Sequence, residues 1–410
     1  MTFNFQKGER KMNSKEVTRR CFFKNVAKYC GAGVAALGMM GPKRAHAGAM
    51  GLPDLDEPVQ TGVWKMRDAQ LMQYGEFINN APIPKDYFDK PPDSLINGGA
   101  PVEWSHLHPN YYTDDQKRSL VGMILATKLD KDLTGDIKKA VKLVGGFEKS
   151  LKKTDKILIK PNMNTGDPWP QGGTDHAFLK ALIVVLKDEG YTNLTVADTC
   201  GPWGPTERVI NMMGYDQVGK ETGTPVKTWE KEKWMNIRNA KAEYLGKIGG
   251  GDGTVSYPAD LKNYDKVIYT PVMKTHFLGG ITQSLKLSVG ILHRADRGAH
   301  LHAFNHIFVP EQAAEINLPF QPDLIIMDGR RSLIAGGPSH GEEVKPGVIL
   351  VSGDQVANDV MGIRTLQEWY PSEATNKIGM YAWYQKQIAQ AVKLGIGYAR
   401  KQDDIKIVLG

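Results

Sequence analysis

The residues best suited to chemistry in this 410-residue chain stand directly after short apolar runs. Lys160, Asn162 and Asn164 follow KILIK at Lys156–Lys160. Asp198, Thr199 and Cys200 close LTVAD at Leu194–Asp198. Lys274, Thr275 and His276 come just after KVIYTPV at Lys266–Val272. Asp328, Gly329 and Arg330 end DLIIMD, and Asp354 follows GVILVS. Carboxylates, amides and hydroxyls at such points commonly stop strands or cap helices, and Asp354, behind Ser352-Gly353, reads as a helix start. That explanation fails for Lys160, Lys274 and His276, since a lysine has no acceptor with which to cap. These three are expected to line a site with Asn162. There Lys274 or Lys286 would hold an anionic substrate, His276 would move protons, and Asp328 or Asp354 would orient a histidine or ligate a metal.

Six of the ten histidines fall between His276 and His340. The segment HRADRGAHLHAFNH carries His293, His300, His302 and His306 together with Arg294, Asp296 and Arg297. Imidazole is the commonest transition-metal ligand and the usual proton carrier near neutral pH. His302 and His306 would share one face of a helix, whereas His300 and His302 would share one face of a strand. The Glu of an H-E-x-x-H zinc site is missing. Two readings stay open: a transition-metal site built from His293, His300, His302 and His306, or an anion pocket built from Lys274, Lys286, Arg294 and Arg297. Cys200 is either a thiolate nucleophile or a small buried residue. No phosphate loop of the G-x-x-x-x-G-K-[ST] type and no G-x-S-x-G elbow occurs, and Gly249–Gly251 with Gly253 do not follow a strand in the dinucleotide pattern.

The elements that must position these groups are legible from about residue 155 onward. Strands are expected at 156–160, 194–198, 266–272, 323–328, 347–352 and 404–409. Helices are expected at 176–189, 205–213, 280–292, 354–368 and 378–394. Lys247–Leu261 reads as a loop or hairpin. Short Ile-, Val- and Leu-rich strands alternating with helices predict an α/β fold, a mostly parallel sheet covered by helices on both faces. In such sheets ligands bind beyond the C-terminal ends of the strands, where the polar residues above recur. Residues 48–154, dense in proline up to Pro101, are expected to be an irregular, wrapping segment with short helices near Lys65–Asn80 and Asp114–Ala126. The α/β domain would span 155–410.

The first 47 residues have the grammar of an export signal: a basic region with Arg19-Arg20, an apolar stretch at Tyr29–Gly41 diluted by glycine, and Ala45-His46-Ala47 as a cleavage point. Paired arginines before Phe22-Phe23-Lys24 resemble a twin-arginine signal, which implies the twin-arginine translocase as a partner during export and a periplasmic destination. The leader also explains the bulk charge. The chain has 52 Lys+Arg against 45 Asp+Glu, net +7; residues 1–47 hold ten of the basic and two of the acidic ones, leaving 42 against 43. The basic balance therefore gives no warrant for a nucleic-acid partner. Two of the three cysteines, Cys21 and Cys30, also lie in the leader, so an internal disulfide or an intrinsic cysteine-ligated iron–sulfur cluster is not expected in the mature chain. No later apolar run reaches 18 residues, so no membrane span is expected in the mature form.

Taken in order, IKPNMN at Ile159–Asn164, LTVAD, MKTHFLGGITQSLKLSVGI at Met273–Ile291, PDLIIMDGRRSLIAGGPSHG at Pro322–Gly341 and VILVSGDQVANDVMG at Val348–Gly362 resemble domain-of-unknown-function family 362. The resemblance covers about residues 156–362. It implies that Lys160, Asn162, Lys274, His276, Thr282, Lys286, Asp328, Gly329, Gly337, Gly341, Asp354 and Asp359 surround one cleft. This chain departs from the pattern at Leu287, where members usually carry Asn. The resemblance implies no activity. Two readings follow: a periplasmic redox or metal-assisted enzyme acting on a small anionic substrate, or a non-catalytic ligand-binding or assembly subunit of a periplasmic respiratory system.

Overall fold

A computed structural model describes residues 100–126, 132–164, 172–201, 205–247, 251–297, 301, 308–339, 341–369 and 381–410. The export-signal region and the expected helix at 65–80 lie outside the described residues, as do His300, His302 and His306.

The centre is an eight-stranded sheet. In chain order its strands are β1 (Ser119–Leu125), β2 (Ile157–Pro161), β3 (Leu194–Asp198), β4 (Val226–Thr228), β7 (Lys266–Thr270), β10 (Leu324–Gly329), β13 (Val348–Ser352) and β14 (Ile405–Leu409). Their order in space is β14-β1-β13-β10-β7-β2-β3-β4. Every pairing is parallel except the two made by β13. The mostly parallel α/β sheet expected from the sequence is therefore present. Both faces are buried, as parallel sheets require: in β2, Ile157 and Ile159 enter one apolar core and Leu158 another, and in β13, Ile349 and Val351 oppose Val348 and Leu350 in the same way.

One face is covered by α1 (Leu133–Leu143), α2 (His176–Asp188), α3 (Thr206–Met212) and α4 (Tyr215–Thr222). Helix α2 shows why: Asp175 caps its start by accepting from the Ala177 N–H at 2.8 Å, and Phe178, Leu179, Leu182, Ile183 and Leu186 repeat at helical spacing toward the sheet. The other face carries the antiparallel hairpin of β5 (Trp234–Arg238) and β6 (Thr254–Pro258), then α5 (Ser284–Leu287), α6 (Val309–Glu315), α7 (Gln355–Trp369) and α8 (Lys386–Leu394). Two further hairpins sit at the C-terminal end of the sheet: β8 (Lys274–His276) with β9 (Gly280–Thr282), and β11 (Ser332–Gly336) with β12 (Gly341–Val344).

Three expectations are corrected. Residues 119–125 are not helical but form β1, inserted between β14 and β13, so the sheet begins well before residue 155. The stretch 280–292 is not one helix: it is strand β9, a single turn α5 and a 3₁₀ turn, Ser288–Ile291. Gly280, at φ 74°, does not suit a right-handed helix. Third, because β13 runs against its neighbours, Asp354 lies at the opposite end of the sheet from the other strand tips. Its carboxylate accepts from Ser119 Oγ at 2.6 Å and from the N–H groups of Val356, Tyr398 and Ala399, joining three segments. Asp354 is a structural knot, not part of a cleft. Among the described residues no helix is long and apolar enough to cross a membrane.

Candidate functional site

The chain runs outward from β2 to β3 and β4, then returns to place β7 on the other side of β2. This reversal is the topological switch point at which open α/β sheets form a crevice. A cleft opens there, with a volume of about 60 Å³, room for a few waters or one small ion. Its walls come from the tip of β2 (Asn162, Asn164), the tip of β3 (Asp198, Thr199, Gly201), the β8–β9 hairpin (His276, Phe277, Leu278, Thr282) and the following turns (Lys286, Leu287, Val289, Gly290, Arg297), with Pro338 leaning in from the β11–β12 side.

Beneath the cleft Lys160 is fully buried and its ammonium meets Asp198 Oδ1 at 2.7 Å. Burial pulls the Lys160 pKa down, and Asp198 opposes that pull. Asp198 also accepts from the backbone N–H groups of Met163 and Thr199, both at 2.8 Å, so its charge is answered within the protein. Gly290 closes over this pair: a Cβ there would lie 2.2 Å from Asp198 Oδ1 and 2.9 Å from Lys160 Nζ. Lys274 is also buried rather than on the wall. It donates to the carbonyls of Gly172 (2.9 Å) and Pro338 (2.6 Å), and burial, with the Lys286 charge adding to it, pulls its pKa well down.

Three of the residues that line the wall carry donors with nothing to bind. Asn162 Nδ2, Thr199 Oγ1 and Thr282 Oγ1 are buried and have no hydrogen-bond partner among the described residues. Lys286 is brought in by α5, whose start is fixed by Asp359 on α7. Asp359 accepts from the Ser284 N–H (2.8 Å), the Ser284 hydroxyl (2.5 Å) and the Leu285 N–H (2.9 Å). Burial nevertheless raises the Asp359 carboxyl to about 7. Lys286 makes no hydrogen bond or ion pair to any described residue. Burial, with the Arg297 charge adding to it, lowers its pKa to about 7. Arg297 is buried and donates to the Cys200 carbonyl at 2.6 Å.

His276 departs from the role expected for it. Its Nδ1 accepts from the backbone N–H groups of Leu278 and Gly279, both at 3.1 Å. The ring proton of the neutral imidazole must then reside on Nε2. Protonating the ring would put an N–H on Nδ1 against two other N–H groups. His276 is therefore held as a neutral donor and is poorly placed to take up a proton.

Other expected site residues lie elsewhere. Asp328 is engaged by Arg330 through Nε (3.0 Å) and Nη2 (2.8 Å), and Arg330 also reaches Asp175 at 2.7 Å. Asp328 thus ties strand β10 to α2 and does not reach the cleft. Arg294 pairs with Glu230 outside the cleft. Cys200 is buried, and burial pushes its thiol up, away from a reactive thiolate. His293 stands edge-on to Trp234 at 4.6 Å, and burial, with Arg297 and Arg294 adding to it, lowers its pKa to about 4. The other three histidines of the expected metal group, His300, His302 and His306, lie outside the described residues. Among the described residues no group of three or more His, Cys, Asp or Glu could hold a metal.

Thr199, named among the strand-tip residues, belongs to the site, although its hydroxyl is indistinguishable from a cap in sequence. Gly290 also belongs to it and is not singled out by the sequence, where it falls inside an expected helix.

An α/β sheet with a donor-rich crevice at its switch point defines the general class. The chain belongs to the family described as Domain of unknown function (DUF362), whose sequence profile matches residues 157–364. No curated protein matches the chain in a sequence comparison. Among solved structures, a Thermotoga maritima protein determined by the Northeast Structural Genomics Consortium is 12% identical with a TM-score of 0.35. That match covers 60% of this chain and 59% of the other, so the chain spans less than two thirds of that protein's length. Leu287, the position at which the resemblance leads one to expect Asn, lines the cleft and gives it an apolar wall.

Proposed function

We propose that this protein binds a small anion in the switch-point cleft and does so outside the cytoplasm, after export through the twin-arginine route on its leader. One observation carries the binding reading. Three residues that hold buried donors without partners (Asn162 Nδ2, Thr199 Oγ1 and Thr282 Oγ1) line, together with Lys286 and Arg297, a space of small-ion size. Leaving buried polar groups unmade costs about 1–3 kcal/mol each. An oxyanion would satisfy several at once through charge-assisted hydrogen bonds. The Asp198 charge does not oppose this, being held by Lys160 and two backbone N–H groups. The reading keeps the small anionic substrate expected from sequence and rests on the donors of the cleft alone.

Calorimetry with acetate, phosphate, sulfate and pyruvate tests it. At least one should bind saturably. Thr282→Val and Thr199→Val should each weaken binding about 3–10-fold, the worth of one hydrogen bond of about 0.5–1.5 kcal/mol. Neither should lower the melting temperature, because each removes a hydroxyl that bonds nothing. Panel-wide silence, or valine variants that bind as the parent does, would refute the proposal. The pH trend has a definite sign. With Lys286 titrating near 7, its ammonium is charged below that pH, so affinity for a carbonyl-free anion should fall from pH 6 to pH 8. Lys286→Met should flatten the trend.

A further inference from the structure

Lys286 differs in kind from the other cations of the cleft. Lys160 is spent on Asp198, Lys274 on two carbonyls, and Arg297 is seated on the Cys200 carbonyl. Lys286 has no acceptor within reach among the described residues. Its neighbours are two further cations, Arg297 and Lys274, whose charges interact with its own. Its stem is pressed against the Gly279 backbone, where a Cβ would lie 2.8 Å from Cε and 2.9 Å from Cδ. The next residue, Leu287, adds an apolar surface to the same wall. Cationic neighbours, an apolar flank and no counter-ion are the conditions under which a lysine amine loses its proton and becomes nucleophilic. A lysine meant only to hold an anion would gain from keeping its charge.

Resting on the anion-binding reading above, we propose that Lys286 is the nucleophile of a covalent step, its amine condensing with the carbonyl of a small 2-oxo carboxylate. Arg297 takes the carboxylate. Nζ, as –NH2, attacks the carbonyl carbon. The C–N bond forms, the C=O π pair moves to oxygen, and the carbinolamine that results loses water to give an imine. The water carries off the carbonyl oxygen and both amine protons, so nothing is oxidised or reduced. The donors already in place fit this course. The Thr282 hydroxyl and the Nε2–H of His276 can stabilise the oxygen as it gains charge, and His276, locked as a donor, does not compete for the proton. The cleft is small, so the 2-oxo acid proposed is a short one.

The test incubates the full chain with pyruvate and sodium cyanoborohydride, which reduces imines and spares ketones, then maps adducts by peptide mass. The expected result is one dominant reduced adduct on Lys286, its yield rising from pH 6 to pH 8 as the amine deprotonates. It should be lost in Lys286→Arg, which keeps the positive charge and cannot form the imine. Calorimetry on the parent chain, with acetate and pyruvate, separates the two proposals. Anion binding by the parent, with an adduct that Lys286→Arg abolishes, supports both. Anion binding by the parent with no adduct on Lys286, or with adducts scattered over surface lysines, overturns the covalent step alone. Failure of the parent to bind any anion overturns both. Circular dichroism of each variant guards against misfolding, and Leu287→Asn supplies a second handle. Restoring a polar amide beside Lys286 should shift the pH midpoint of adduct formation upward without abolishing it, and an unchanged midpoint would count against the role given to the apolar wall.

Discussion

What His276 offers the cleft is decided by one lone pair. Because Nδ1 is occupied by two backbone N–H groups, the ring can only donate at Nε2. His276→Asn separates this function from structure. The Asn Oδ1 can stand near the former Nδ1 and accept from Leu278 and Gly279, but the side chain is too short to reach where Nε2 was. We expect unchanged thermal stability and a loss of anion affinity of about tenfold, equivalent to about 1.4 kcal/mol for one hydrogen bond to a charged ligand. His276→Ala should lose stability as well, since two buried N–H groups would then be orphaned. An Asn variant that binds like the parent would remove His276 from the site. At this scale the sequence carried much of the information. Lys286, Arg297, Asn162 and His276 are picked out by residue type and position, Thr282 by the family resemblance, and all line the cleft. What residue type could not reveal was partnership. Lys160, Lys274, Asp328 and Arg294 look equally chemical in one dimension, and only the folded distances show that each is already satisfied.

The element that matters most is the irregular stretch from β9 through the turns that end at Ile291. A regular helix would swing Lys286 and Gly290 to fixed angular positions. The observed strand, turn and 3₁₀ turn instead lay the backbone across the Lys160–Asp198 pair. Gly290 permits the close approach. Gly290→Ala would place a methyl 2.2 Å from Asp198 Oδ1 and 2.9 Å from Lys160 Nζ, so the pair or the turn above it must shift. Overpacking of this kind costs about 1–3 kcal/mol, and exposing or unpairing a buried charge adds to it. The expected outcome is a clear drop in denaturation midpoint together with loss of anion binding. A Gly290→Ala protein as stable as its parent would show that the pair is not held from above. Sequence reading failed here because apolar residues at 281, 285, 289 and 292 also fit a helical period, while the glycines that break the helix carry no periodic signal. It failed at β1 for a related reason. SLVGMIL at Ser119–Leu125 follows a long irregular segment, and its strand character depends on partners more than 200 residues away. The reversed direction of β13 was likewise invisible, since a buried strand reads the same whichever way it runs, and that reversal is what removes Asp354 from the cleft.

At the scale of the whole molecule, the sheet closes only when its last strand arrives. β14 at Ile405–Leu409 pairs in parallel with β1, which in turn borders β13, so the earliest sheet strand lies between two of the latest. Contacts of such sequence separation carry a large loop-closure cost and form slowly. This half of the sheet cannot be completed until residues 405–409 have been made. The route proposed on the strength of Arg19-Arg20 carries proteins across a membrane already folded, so the sheet must be complete before export. The two ideas can be tested together in a bacterial host with an intact twin-arginine system, by following leader cleavage and the compartment in which the chain accumulates. Arg19→Lys combined with Arg20→Lys should leave the folded, anion-binding chain in the cytoplasm with its leader attached. Deleting residues 405–410 should also block export, but through folding: β1 would be left as an open edge, and the retained chain should be protease-sensitive and unable to bind an anion. If the lysine pair is exported as efficiently as the parent, the twin-arginine route is excluded. If the truncated chain is exported and folded, then β14 is an ornament on the sheet and not the strand that completes it.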